Sequence, residues 1–96
     1  MISVSEQEEQ LIRTILRRHV PRAEVRVFGS RQRGAHKSYS DLDLALVGDF
    51  TDDSLSTLRG EFEESRLPYR VDVLDYRQLS EEFRRVVDTE YTIFPL

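Results

Sequence analysis

Several features that would indicate a particular class of protein are missing from this chain of 96 residues. It has no cysteine, which excludes disulfide bonds and thiolate metal sites. Its longest strictly apolar run, Leu44–Val47, is far too short to cross a bilayer, so we expect no membrane association. The N-terminus has neither a basic region nor an apolar core, so we expect no secretory signal and a cytoplasmic location.

The charge balance excludes a further class. Acidic residues outnumber basic ones, and the formal net charge is −4, whereas a general nucleic-acid binder is usually basic. We therefore expect no direct contact with nucleic acid. The charge is unevenly distributed, because residues 25–40 carry four cations and no acid. The length corresponds to one domain, to which we assign residues 1–96.

Three amphipathic helices are predicted from apolar residues at spacings of three and four. Ser5 and Glu8 form a capping-box pattern for the first helix, which ends before Pro21. The second helix is predicted to begin near Asp52 and the third near Ser80. The apolar positions behind these predictions are Leu11, Ile12, Ile15 and Leu16, then Leu55, Leu58 and Phe62, then Leu79, Phe83, Val86 and Val87.

Strands are predicted at residues 25–28, 41–47 and 71–74, with a further strand at 91–94. About eleven residues join the first two strands, too few for a parallel crossover, so we expect antiparallel pairing. A full helix separates the second and third strands, which permits a parallel crossover. The predicted fold class is therefore α/β (α+β), a small mixed sheet with helices packed on it, in the order α-β-(turn)-β-α-β-α.

Two aspartates one residue apart are the first candidate functional residues. Asp41 and Asp43 occupy alternate positions of a predicted strand, so their side chains share a face, with Cα atoms roughly 6.7 Å apart. Carboxylates favour Mg²⁺ or Mn²⁺, and two such ions can assist displacement at phosphorus. Asp72 adds a third carboxylate if its strand lies beside the second. On its own, an Asp-x-Asp pair in a strand is more often a solvated polar face.

A glycine-serine turn precedes these aspartates. Gly29 lets the backbone approach a phosphate without a Cβ, and Ser30 offers a hydroxyl and an N–H. Arg31 and Arg33 either reach a phosphate or brace the turn through a salt bridge, since guanidinium groups suit both roles. In the loop that follows, residues 36–39, a solvated role is favoured over contact with a nucleotide.

The sequences GSRQRG at 29–34, SDLDL at 40–44 and VDV at 71–73 together resemble the minimal nucleotidyltransferases of the DNA polymerase beta-like superfamily. The resemblance covers nearly the whole chain. It implies transfer of a nucleoside monophosphate from a nucleoside triphosphate to a hydroxyl, with release of pyrophosphate.

Roles follow from position in the family motif. Gly29 and Ser30 resemble the triphosphate-binding turn. Asp41 and Asp43 resemble the pair that holds two Mg²⁺ ions, and Asp72 resembles the third metal-binding carboxylate.

The short chain and the family together indicate the kind of acceptor. Larger nucleotidyltransferases use a second domain, whereas minimal members commonly pair with a HEPN-domain protein as the antitoxin of a toxin–antitoxin system. The resemblance therefore implies transfer of AMP from ATP to a hydroxyl, such as that of a tyrosine, on a HEPN ribonuclease toxin, within a hetero-oligomer. Two alternatives stay open: an antitoxin that neutralises its partner by binding alone, and transfer to a small molecule such as an antibiotic.

Overall fold

A computed structural model describes residues 2–33 and 40–96, apart from the side chains of Gln32 and Arg33. The described segments form one four-stranded sheet flanked by helices. The helices are α1 (Glu6–His19), α2 (Ser30–Arg33), α3 (Asp52–Glu64) and α4 (Glu81–Thr89), with a 3₁₀ turn at Tyr76–Gln78, and the strands are β1 (Ala23–Phe28), β2 (Leu42–Gly48), β3 (Val71–Asp75) and β4 (Thr92–Phe94).

The sheet has the strand order β3-β2-β1-β4. β1 pairs antiparallel with β2 and with β4, whereas β2 and β3 pair in parallel across the α3 crossover. The predicted mixed sheet and both predicted orientations are confirmed, as is the terminal strand. Strand boundaries differ from the predicted ones by one or two residues, and the difference that affects the site is that β2 begins at Leu42 and leaves Asp41 just ahead of the strand.

Side-chain caps determine where the helices begin. Ser5 and Glu8 form the predicted capping box at α1. At α3 the cap is Thr51, whose hydroxyl accepts from the Ser54 N–H, and at α4 it is Ser80.

The main core lies between the sheet and the α1–α3 layer. It buries Ile12, Ile15 and Leu16 of α1 and Leu55, Leu58 and Phe62 of α3 against the inward leucines of β2. The opposite face carries a smaller cluster of Phe28, Ala45 and Val87 beneath α4.

The predicted apolar face of the last helix is largely uncovered. Of its predicted core positions only Val87 is fully buried, while Phe83 is 38% and Val86 59% exposed. The reason is that the second apolar cluster is small, so the sheet beneath a nine-residue helix offers little apolar surface. In the described part of the chain, no helix combines the length and apolarity that a membrane span requires.

Candidate active site

Two of the three predicted carboxylates lie on neighbouring strands in the same register. Asp43 of β2 is the direct partner of Asp72 of β3. Residues paired in this way project from the same face of a sheet, so both carboxylates lie on the face that carries α4. Asp41 lies exposed just outside the strand. The parallel crossover therefore brings Asp72 beside Asp43, as the sequence predicts.

Asp43 lies close to two other negatively charged groups, Asp72 and Asp41. Burial raises the pKa of Asp43 to about 6, and repulsion from Asp72 and then from Asp41 contributes to the rise. A cation between these groups would remove that repulsion.

The donor set fits a magnesium ion that borrows part of its coordination from substrate. Among residues 2–33 and 40–96, no three His, Cys, Asp or Glu side chains form a ready-made metal cluster. Mg²⁺, however, commonly takes one or two protein carboxylates and completes its octahedron with phosphate oxygens and water. Asp43 with Asp72 or Asp41 meets that requirement.

Gly29 directly follows β1 and lies against the Asp43 carboxylate. Its φ of +81° is one that L side chains rarely adopt, and a Cβ built there would collide with Asp43 Oδ2. Ser30 follows as the first residue of α2 and is half-buried. The turn and the Asp43 carboxylate therefore share one small volume, and a Cβ at position 29 would displace that carboxylate.

Arg31 makes contacts that brace the turn against neighbouring segments. The residue is 4% exposed, and its guanidinium donates from Nε to the Ser40 carbonyl and from Nη1 to the Ser3 carbonyl, both at 2.9 Å. It also stacks 3.7 Å from the centroid of the Tyr69 ring. These contacts favour the predicted bracing alternative for Arg31, with backbone carbonyls in place of the expected carboxylate.

The remaining sequence predictions for this region concern parts of the chain that the structure does not describe. The side chain of Arg33 and all of residues 34–39, including His36, Lys37 and Tyr39, are outside the described residues. The nucleotide-binding role assigned to Arg33 stays a prediction.

Tyr69 contacts Arg31 in a way that the sequence patterns did not predict. Its hydroxyl donates to Glu8 Oε1 at 3.1 Å, and the Arg31 guanidinium stacks on its ring. The α1 cap is thereby connected with the segment entering β3. An aromatic residue three positions before Asp72 was the available signal.

A cavity of about 400 Å³ opens along the outer edge of β3. Its lining includes Arg59 and Phe62 of α3, Tyr69, and the strand residues Val71–Val73. Arg59 crosses this edge and donates from Nε and Nη2 to the Val73 carbonyl. The backbone at Asp72 therefore borders open space at the sheet edge.

Comparison with sequence families places this architecture among known proteins. The family model described as the nucleotidyltransferase domain matches residues 9–95. A curated relative, the probable protein adenylyltransferase MntA of Haemophilus influenzae, is 40% identical over 94 residues, which cover 96% of this chain and 82% of the relative.

Solved structures agree with this fold. A candidate minimal nucleotidyltransferase superposes with a TM-score of 0.67 at 31% identity, over 94% of this chain and 90% of the other. A toxin–antitoxin complex with AMP-PNP gives 0.72 at 24% identity, over 91% and 72%. A tri-AMPylated HEPN toxin of Shewanella oneidensis in complex with its MNT antitoxin gives 0.67 at 22% identity, over 94% and 71%. The last two similarities bear on the fold alone.

Proposed function

This chain belongs to the nucleotidyltransferase domain family, and from that premise we propose that it is an antitoxin that transfers AMP from ATP to a HEPN-domain ribonuclease toxin. The observation that carries the proposal is the pairing of Asp43 with Asp72 directly beside the Gly29 turn. The 40% identical relative named as a protein adenylyltransferase supports protein as the acceptor. The resemblance of the motifs at 29–34, 40–44 and 71–73 to minimal nucleotidyltransferases supports a HEPN-domain toxin as the partner.

The proposed reaction follows from the positions of these groups. Asp41, Asp43 and Asp72 would hold Mg²⁺, which when bound supplies positive charge against the triphosphate. Gly29 lets the backbone approach the phosphates, and Ser30 donates to them. The acceptor oxygen forms a bond to the α-phosphorus while the bond to the bridging oxygen breaks and pyrophosphate leaves. Asp72 accepts the proton of the acceptor hydroxyl.

The modification would act on the partner by adding charge and bulk. Each AMP brings a phosphate and a base to a side chain that carried only a hydroxyl. Negative charge near an RNA-binding surface opposes the approach of the RNA backbone. Transfer of AMP would therefore neutralise a ribonuclease in a way that outlasts the encounter between the two proteins.

Intact-mass measurement tests the proposal. The chain is incubated with ATP, MgCl₂ and the HEPN-domain toxin proposed as its partner, and we expect the mass of that protein to rise by whole AMP residues. Replacing the acceptor tyrosine of the partner by phenylalanine should remove the increase. If the partner is inhibited while its mass is unchanged, the binding-only function is correct instead.

A further inference from the structure

An exposed aromatic side chain lies next to the candidate active site on α4. Phe83 belongs to the first turn of this helix, where its backbone N–H donates to the Ser80 hydroxyl. Its ring is 38% exposed and meets the ring of Phe28 edge to face, with centroids 6.1 Å apart. Val86, one helical turn further on, is 59% exposed.

Phe28 connects this side chain to the site. It is the cross-strand partner of Asp43 and immediately precedes Gly29. Phe28 itself is 7% exposed and fills the space under Phe83, so the ring of Phe83 faces solvent. The exposed aromatic ring is thus separated from the turn and the carboxylates by one buried side chain.

We propose that Phe83 is the platform on which the base of the bound nucleoside triphosphate stacks. The proposal rests on the proposed function and adds a base-binding subsite to it. With the triphosphate at the Gly29 turn, the uncharged end of the nucleotide would extend over Phe28 onto the Phe83 ring. Stacking replaces water on both faces in contact and tolerates any base.

The chemistry of the Phe83 side chain favours the base over the phosphates as the occupant of this surface. Glu81 and Glu82 precede Phe83 and Arg84 and Arg85 follow it, with Arg85 4.0 Å from Glu81, so the charges beside the ring largely offset one another. Phe83 offers a ring face and no hydrogen-bonding group, so ATP and GTP should both use it, and pyrimidine nucleotides less because their rings are smaller.

A comparison of two ligands isolates the base. Binding of ATP and of inorganic tripolyphosphate, each with MgCl₂, is measured by calorimetry on the full chain. We expect F83A to weaken ATP binding about tenfold and to leave tripolyphosphate binding unchanged. F83Y, which retains a ring, and V86A, which shortens the neighbouring exposed side chain, should both bind ATP like the wild type.

A second variant reports on the same position without removing the ring. The chain has no tryptophan, so F83W introduces a single fluorophore. We expect ATP and GTP to change its emission and tripolyphosphate to leave it unchanged.

Several results would overturn the proposal. Full ATP affinity in F83A would show that the base does not stack on Phe83. Equal loss of ATP and tripolyphosphate binding would make Phe83 a support of the turn. Loss of HEPN-protein binding with unchanged ATP affinity would make the surface a protein-docking site. If ATP binds through Phe83 and no AMP reaches the toxin, the subsite stands and the proposed function fails.

Discussion

At the scale of single residues, Gly29 and Asp43 compete for one small volume. A methyl group at position 29 would collide with Asp43 Oδ2, at a φ of +81° that alanine rarely adopts. We expect Gly29→Ala to lower the rate of AMP transfer about a hundredfold, since small displacements of reacting groups have effects of that size. The measurement is the initial rate of partner modification.

Gly48 provides the matched control for that substitution. Its φ is also positive, at +115°, but the nearest atom to an added Cβ is the Arg22 carbonyl oxygen at 3.5 Å. Gly48→Ala should therefore introduce similar backbone strain and leave the transfer rate close to that of the wild type. Equal losses in both variants would show that strain, not contact with Asp43, is responsible.

The raised pKa of Asp43 has a consequence for stability. Burial, Asp72 and Asp41 make ionisation less favourable in the folded chain than in the unfolded one. The folded state thus loses stability as pH rises from about 4 to about 6 and stays at the lower level above that. With metal chelated, Asp43→Asn should raise the free energy of unfolding at pH 7 by on the order of 1 kcal/mol, allowing for partial solvent screening.

Denaturation at several pH values in EDTA measures this effect. The difference between Asp43→Asn and the wild type should disappear below about pH 3, where the carboxyl is protonated in both states. Asp53→Asn, which changes an exposed acid in α3, is the control and should show no comparable rise with pH. A destabilised Asp43→Asn at pH 7 would contradict the repulsion described here.

At the scale of helices and strands, α3 contains an interior glycine, a residue that is unfavourable inside a helix. Gly60 lies inside this helix, and an added Cβ would meet no atom within 4 Å. Gly60→Ala should raise the free energy of unfolding by about 0.5–1 kcal/mol, because alanine has less backbone freedom to lose on helix formation. Urea denaturation checks this, with AMP transfer expected at the wild-type rate. A loss of stability would indicate a contact that the described structure lacks.

Local patterns predict most of these elements for physical reasons. The length of each connection predicted the orientation of the strands that it joins. The spacing of Leu55, Leu58 and Phe62 predicted the buried side of α3. The same periodicity overestimated the burial of α4. A repeat identifies which side of a helix is apolar, but the sheet area available to cover it depends on the whole fold.

In the candidate site, too, local patterns predicted some features and missed those that depend on the complete fold. The alternation of residues along each strand and the helix between β2 and β3 predicted that Asp72 would lie beside Asp43. The placement of Arg31 was left open, since its partners come from segments far apart in the sequence. Tyr69 was missed for the same reason: its contacts with Glu8 and Arg31 exist only after the chain has folded.

At the scale of the whole molecule, Arg31 connects segments distant in sequence. It joins the N-terminal segment at Ser3, the backbone before Asp41 at Ser40, and Tyr69 ahead of β3. Arg31→Met should lower the free energy of unfolding by about 2–3 kcal/mol, because buried carbonyls lose a charged donor. Arg31→Lys should be intermediate, since an ammonium cannot reproduce the planar fork.

Thermal denaturation and ATP calorimetry together separate bracing from phosphate binding at Arg31. A bracing side chain lowers stability when it is replaced, whatever the ligand. A stable Arg31→Met variant with greatly weakened ATP binding would show that Arg31 contacts the triphosphate instead.

The most direct test of the paired carboxylates is the rate at which Asp72→Asn modifies the HEPN partner at saturating ATP and MgCl₂. We expect that rate to fall at least about a hundredfold, because Asn neither balances a metal charge nor accepts the hydroxyl proton. Asp53→Asn, an exposed and isosteric change outside the site, should modify the partner at the wild-type rate. Full transfer by Asp72→Asn would contradict the proposed site.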